Sequence, residues 1–437
     1  MNRKQLSADR NSSNEAATPR IGTLDIHLMQ GSHYDWARQE GLELSKISSP
    51  EEALSEGLDL VVTFDNYHMP AVEHTRFLVK NDVPVLTLAD GILEYRNTYE
   101  NPQIVPGSLF QPALGHKIAC IGRSQGRILE AWGNIGKCEV VGVPRFDRLL
   151  GRHPRNRKPG DPFRLLIMTA KNPGFTPEQL KRARDGLKDL HFAIRHWIPK
   201  EGMSRIEPIW RLTAGLADDL GISNSLRDTS GADLADTLET IDAVVTTPST
   251  VMLEGMLQGI PVALLDYTNC PQYVPSAWSI TAKAHITGVL QELQAPPAAK
   301  ILFQQTVLHD SLESRTPATP RLVQLIQSMA RIGRECRELG KTLQFPQRIL
   351  CDQQQDHHLP EETFDLRRLY PEHPVFANMD RTLLQIEVSH LRRELANPRQ
   401  ELRRLRESYE KSVSLKLGRI LTWPLRKIGA IAKYPRT

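Results

Sequence analysis

The side chains best suited to chemistry fall in a few short runs. An apolar strand pattern over residues 241–246 ends in Thr246 and Thr247, and Ser249 and Thr250 lead into a helical pattern over 251–258. Free N–H groups at the start of such a helix suit an anion, and the hydroxyls of Thr247, Ser249 and Thr250 add donors. A phosphate fits that place. Glu254 lies a turn further in, on a helix otherwise built of Val, Met, Leu and Gly. A carboxylate there is costly unless something bonds it, and a ribose diol is one such partner. The plainer alternative makes Ser249 a helix cap and Glu254 a structural acid.

Residues 169–174 follow a strand pattern at 163–169. Lys171 could neutralise a diphosphate there, flanked by Thr169 and Asn172, unless the loop is an ordinary turn. Arg195 closes an apolar pattern at 190–195, where a cation at a strand end would face a cleft; a solvated edge is the alternative. Asp90 and Glu94 follow a pattern at 83–88. Four residues apart, they share one face if that turn is helical, and either could deprotonate an acceptor hydroxyl. Asp90 is the first choice as base. Capping by Asp90 and pairing of Glu94 with Arg96 are the structural alternatives. His68, after the pattern at 58–64, is the competing base.

These runs need elements to hold them. Strand patterns at 24–29, 58–64, 83–88, 117–121 and 138–143 are short, Leu-rich or β-branched, and closed by polar, Gly or Pro breaks, as buried parallel strands are. Ser49-Pro50-Glu51-Glu52 supplies a helix start between them. A break rich in Pro, Gly and cations at 151–162 reads as a linker. The alternation then restarts with strands at 163–169, 190–195, 241–246 and 261–265 and helices at 232–240 and 251–258. Thr176-Pro177-Glu178-Gln179 is a capping-box start. The pattern is α/β: two doubly wound, Rossmann-like domains facing a cleft, with closure expected about the linker.

Composition narrows the class. The 437 residues are 40% apolar, enough for sizeable cores, with a formal net charge of +4. That balance is too mild to argue for nucleic acid, and none is expected as a partner. Seven cations and no acid lie from Lys411 onward, leaving a body of −3. The first twenty residues are polar and read as a disordered tail without a signal peptide. No run is long and apolar enough to span a bilayer. Five scattered cysteines without C-x-x-C spacing read as reduced thiols, so a cytoplasmic protein is expected. His357 and His358 beside Asp356 lack ligand spacing, so no metal site is expected, and no P-loop sequence occurs.

Beyond residue 345 the texture changes. Leu384, Leu391, Pro398 and Leu405 form one column of a heptad repeat, and Val388, Leu395, Leu402 and Tyr409 the other. A helical arm results, able to pair with itself as a homodimer over 384–412. The basic, apolar-interleaved tail at 413–437 suits an anionic membrane surface, or a partner protein.

Residues 242–267 resemble the donor-site segment of GT-B-fold nucleotide-sugar glycosyltransferases and their relatives. Residues 119–147, ending in a Gly142-x-Pro144-Arg145-x-Asp147 turn, resemble the end of the N-terminal half of such proteins. Residues 163–175 resemble the first strand and phosphate-facing loop of their donor half. Residues 89–102 resemble a segment of surface-polysaccharide GT-B proteins, and the C-terminal arm and tail resemble the ending of many bacterial surface-glycan enzymes. The resemblance covers roughly residues 21–290. It implies Ser249 and Thr250 as phosphate contacts, Glu254 as the ribose contact, and a metal-independent enzyme using a nucleotide-diphosphate sugar as co-substrate, with no other cofactor. The expected organisation is a tail (1–20), an acceptor domain (21–150), a linker (151–162), a nucleotide-sugar domain (163–345), a second linker (346–380), a coiled-coil-like helix (381–412) and the basic tail (413–437). The implied activity is glycosyl transfer to a glycan or lipid-linked acceptor in surface polysaccharide or lipopolysaccharide assembly, at the inner face of the membrane. A CDP-alcohol glycerophosphotransferase, a nucleotide-sugar epimerase and a non-catalytic scaffold are the rival readings, because the fold does not fix the reaction.

Overall fold

The apolar runs become parallel strands of two separate sheets. The computed structural model describes residues 18–25, 29, 32–64, 67–105, 109–213, 215–222, 234–350 and 374–411. The first sheet contains β1 (Ile21–Thr23), β2 (Leu44–Lys46), β3 (Leu60–Thr63), β4 (Val85–Leu88), β5 (Lys117–Cys120) and β6 (Cys138–Val140), in the order β2-β1-β3-β4-β5-β6. The second contains β7 (Phe163–Met168), β8 (Ile206–Arg211), β9 (Ala243–Thr246), β10 (Val262–Leu265) and β11 (Trp278–Ile280), in the order β11-β10-β9-β7-β8. All pairings are parallel. Parallel strands need crossovers, and helices supply them.

In the first half these are α1 (Asp35–Gln39), α2 (Pro50–Ser55), α3 (Met69–Lys80), α4 (Tyr95–Tyr99) and α5 (Arg123–Ala131). In the second they are α6 (Pro177–Arg195), α7 (Leu216–Leu220), α8 (Leu234–Leu238), α9 (Val251–Leu257), α10 (Lys283–Gln294) and α11 (Ala298–Ser311), followed by α12 (Ala318–Glu338). The expected helix starts form: Ser49 Oγ accepts from Glu52 N–H, and Thr176 Oγ1 accepts from Gln179 N–H.

Two strand expectations are corrected. The pattern at 24–29 belongs to a strand ending at Thr23, and residues 26–28 lie outside the described residues. The pattern at 190–195 is the last part of α6 rather than a strand. Ala183, Leu187, Leu190 and Ile194 recur at helical spacing and are all buried, so the whole stretch from Pro177 presents one continuous apolar stripe. Arg195 is thereby an exposed helix end, and the cation that closes the strand beside β7 is Arg211.

The halves are joined through a shared core. Ile118, Cys120, Leu129 and Phe146 from the first half belong to one buried cluster with Leu166, Val244, Met252 and Leu253 from the second. A shared apolar core of this kind couples the halves more tightly than the linker alone would. Residues 151–162 carry no helix or strand, and Arg155 ties them to Asp242 at 3.5 Å.

α12 then leaves the second half and packs on the first sheet. Leu322, Leu325, Ile326 and Met329 join a core with Leu60, Val62 and Leu86. Both oxygens of Asp147 accept from its first N–H groups, on Ala318 at 2.6 Å and Thr319 at 2.8 Å. Near its other end, Arg334 and Arg337 pair with buried Asp59. Gly333 permits the approach, since a Cβ there would sit 2.3 Å from Pro84 Cγ.

Residues 1–373 and 374–437 are separate units. In the second, α13 (Pro374–Lys411) is one helix of 38 residues with Pro398 inside it. The N-terminal tail at 1–17, the His357-His358 pair and the basic tail from residue 412 lie outside the described residues. Among the described residues no helix is long and apolar enough to cross a membrane.

Candidate functional site

At the carboxyl ends of β7 and β9 the two βα loops are locked together by hydroxyls. Thr247, buried, accepts a hydrogen bond from Ala170 N–H at 2.8 Å. Thr169 Oγ1 accepts from Thr213 N–H at 2.8 Å and lies 2.9 Å from Thr213 Oγ1. Thr169 and Thr247 are therefore occupied in building the loops. Those loops hold Lys171 and Asn172 exposed, beside Ser249 and Thr250.

Here the halves meet in a cleft of about 340 Å³. Lys171, Asn172, Phe175, Pro248, Ser249 and Thr250 line it from the second half, and Tyr67, His68, Ile92, Glu94, Asn97 and Asn101 from the first. The cleft joins six residues singled out from sequence: His68, Glu94, Lys171, Asn172, Ser249 and Thr250. Thr250 Oγ1 also accepts from Ile92 N–H at 3.2 Å, across the interface. Gly91 makes that approach feasible, because a Cβ on it would sit 2.3 Å from the same oxygen. Ser249 Oγ accepts from Val251 N–H at 3.4 Å. α9 itself spans only seven residues. Its dipole is weaker than a long helix would give, so an anion placed here would rest mainly on the side chains.

Glu94 is the unusual group in the cleft. Burial pushes its carboxyl up to about 7, opposed by the nearby Arg96 charge and aided by Asp266. Arg96, 2% exposed, pairs with Glu94 through Nη2 and donates from Nη1 to Pro173 O at 3.4 Å. Nη1 is also 3.9 Å from Asp266 Oδ1. One guanidinium thus joins the base candidate to the loop that carries Lys171. Its Nε is buried and has no hydrogen-bond partner among the described residues.

Asp90 is placed elsewhere. The stretch from Asp90 to Glu94 is not helical, and Glu94 itself has φ −124° and ψ 125°. The four-residue spacing therefore does not put the two carboxyls on one face. Asp90 lies by a separate cavity of about 20 Å³ that His33, Trp36 and Arg145 also line. Its Oδ2 is 3.1 Å from His33 Nδ1. Burial opposes its ionisation, but His33 and the Arg145 charge outweigh that and hold the carboxyl below the usual range.

Glu254 has a protein partner. Arg145 Nη1 lies 2.7 Å from Glu254 Oε1, and Arg145 Nη2 donates to Asp90 O at 3.0 Å. The cost of a carboxylate on an apolar helix is thus met within the chain. Within the turn at 142–147, Arg145 reaches the second half and Asp147 caps α12, while Gly142 takes φ +94° close to Glu313 O.

Sequence reasoning missed Asn97, Asn101 and Tyr67. The asparagines face the cleft from α4 and the turn after it, with Asn101 Nδ2 donating to Asn97 Oδ1 at 2.8 Å. Their four-residue spacing after Glu94 was the available signal. Among the described residues no group of three or more His, Cys, Asp or Glu is placed to hold a metal.

No protein-family model matches the chain, and no curated protein sequence matches it. Solved structures are similar to it to differing degrees. Staphylococcus aureus MnaA, in a co-structure with UDP, superposes with a TM-score of 0.50 at 12% identity, over 71% of this chain and 96% of that one. A putative UDP-N-acetylglucosamine 2-epimerase from Listeria monocytogenes gives 0.47 at 12% identity, over 71% and 87%. The wall teichoic acid polymerase TagF with CDPG gives 0.45 at 13% identity, over 72% and 89%. At such identity the likeness is one of fold. Two facing parallel α/β halves, with the C-terminal helix returning to the first, make this a GT-B-type fold, as the resemblance implied.

Proposed function

We propose that this chain is a glycosyltransferase that moves a sugar from a nucleotide-diphosphate donor to a glycan or lipid-linked acceptor in surface-glycan assembly. The observation that carries the reading is the cleft itself. Its second-half wall offers a cation, an amide and two hydroxyls, while its first-half wall offers a carboxyl held near neutrality. The co-structure of MnaA with UDP, at a shared fold, supports a nucleotide as the ligand class.

In this reading Lys171, Asn172, Ser249 and Thr250 receive the diphosphate. Glu94 accepts the proton of the acceptor hydroxyl as that oxygen bonds the anomeric carbon and the bond to the diphosphate breaks. The electron pair leaves on the diphosphate, and Lys171 offsets the charge. His68 lies at the same cleft as the alternative base. Glu254 acts through Arg145, fixing how the halves meet, rather than by meeting a ribose. The basic tail at 413–437 would hold the enzyme at the inner membrane face, near a lipid-linked acceptor.

A calorimetric panel of UDP, GDP, CDP, CMP and TDP tests the reading, followed by product analysis with the sugar form of whichever binds. The proposal predicts binding, and sugar release only when an acceptor is present. Epimerised donor without acceptor would replace it with the epimerase reading, and no binding at all would overturn both.

A further inference from the structure

We propose that α13 pairs with α13 of a second copy of this chain, in parallel and in register, as a two-stranded coiled coil. The first observation is an apolar stripe left in water. Leu384, Leu391 and Leu405 are 65%, 47% and 62% exposed. Val388, Leu395 and Leu402 are 44%, 55% and 66% exposed. In the α/β unit the apolar stripe of α6 is buried, so this exposure marks a face awaiting a partner. The six residues occupy d and a of one heptad frame, the seam that supercoiling helices share. From Leu384 to Leu405 the seam runs about 32 Å at 1.5 Å per residue.

The second observation chooses the partner. In that frame the g positions are Glu387, Glu394 and Glu401, and the e positions are Arg392, Arg399 and Arg406. One flank is acidic and the other basic. In a parallel pair, each g residue faces the e residue five positions on in the partner, so Glu387 meets Arg392, Glu394 meets Arg399, and Glu401 meets Arg406, twice over by symmetry. An antiparallel pair would set g against g and e against e, placing Glu on Glu and Arg on Arg. The pattern is self-complementary only in parallel. Leucine at d with β-branched Val388 at the first a position fits two strands. Pro398 falls at d in both chains, so the break in the seam lies at one level and costs no register.

Sedimentation equilibrium of the full-length protein at micromolar concentration reads the mass directly. The proposal predicts twice 49.4 kDa. Leu391→Lys/Leu402→Lys should return the single-chain mass with an unchanged thermal transition of the α/β unit. Glu394→Arg/Glu401→Arg should weaken association at least tenfold while leaving the apolar seam intact. Leu391→Cys and, in a separate variant, Leu405→Cys should each cross-link to its own copy under mild oxidation, above the wild-type background from native cysteines, because parallel register juxtaposes every seam residue with itself whereas an antiparallel pair does so at one level only. A wild-type mass of one chain, a mass above two chains, or a dimer unaffected by all these substitutions would overturn the proposal.

Discussion

Arg145 joins the two halves of the molecule to one another, with Nη1 2.7 Å from Glu254 Oε1 on α9 and Nη2 on Asp90 O in the first half. Glu254 is 6% exposed and Arg145 21%. Removing either partner leaves the other charge largely out of water, which costs about 3 kcal/mol. Arg145→Ala and Glu254→Ala should each lower stability by that order in urea denaturation, and the double variant should lose much less than their sum. Full additivity would show that the pair is not a working contact.

Glu94 should govern the pH dependence of the chemistry. As base it must be ionised, so the rate should rise with an apparent pKa near 7. Glu94→Gln should cut the rate by roughly 10²–10⁴-fold and remove that rise while nucleotide binding persists. Asp90→Asn should change the rate less than tenfold, since Asp90 lies outside the cleft. The opposite ranking would restore Asp90 as base.

The same group leaves a mark on stability. Its carboxyl is raised in the folded chain from 4.5 to about 7. Its favourable contribution is therefore fully present below 4.5 and is lost as pH rises through about 7. Denaturation midpoints taken from pH 5 to pH 8 should fall for the wild type. Glu94→Gln should lack that part of the fall, even though its absolute stability is lower because buried Arg96 loses its charge partner. Parallel curves for the two proteins would contradict the assignment.

Close approach at Gly91 makes a prediction of its own. Its replacement by Ala puts a Cβ 2.3 Å from Thr250 Oγ1, so the halves must part locally at a cost of about 1–3 kcal/mol. Thr250→Ala in the same chain removes the obstructing oxygen and should recover part of the loss. No recovery would mean that the strain lies elsewhere.

Which elements were legible follows from where they sit. Central strands such as β3, β4, β7, β9 and β10 are buried on both faces, so they read as unbroken apolar runs. Strands β2, β8 and β11 went unread, and all three are sheet edges. Edge strands are half-wet and tolerate what interiors do not; β8 carries Glu207 and Pro208 in its ladder beside β7. The run at 190–195 misled because a short apolar stretch is shared by strands and helices, and only the longer stripe from Ala183 decides between them. In the site, loop residues next to strand ends could be found because parallel α/β folds place ligands there. The divergence of Asp90 from Glu94 could not, since it depends on a non-helical turn. The Arg145–Glu254 pair spans 109 positions and leaves no local trace.

In the proposed reading the cleft between Lys171, Ser249 and Glu94 holds a nucleoside diphosphate. Isothermal titration of the nucleotide panel into wild type, Lys171→Ala and Ser249→Ala tests it most directly. One nucleoside diphosphate should bind with micromolar affinity, weakened about tenfold or more in each variant at unchanged thermal stability. Binding that is absent, or equally tight in all three proteins, would contradict it.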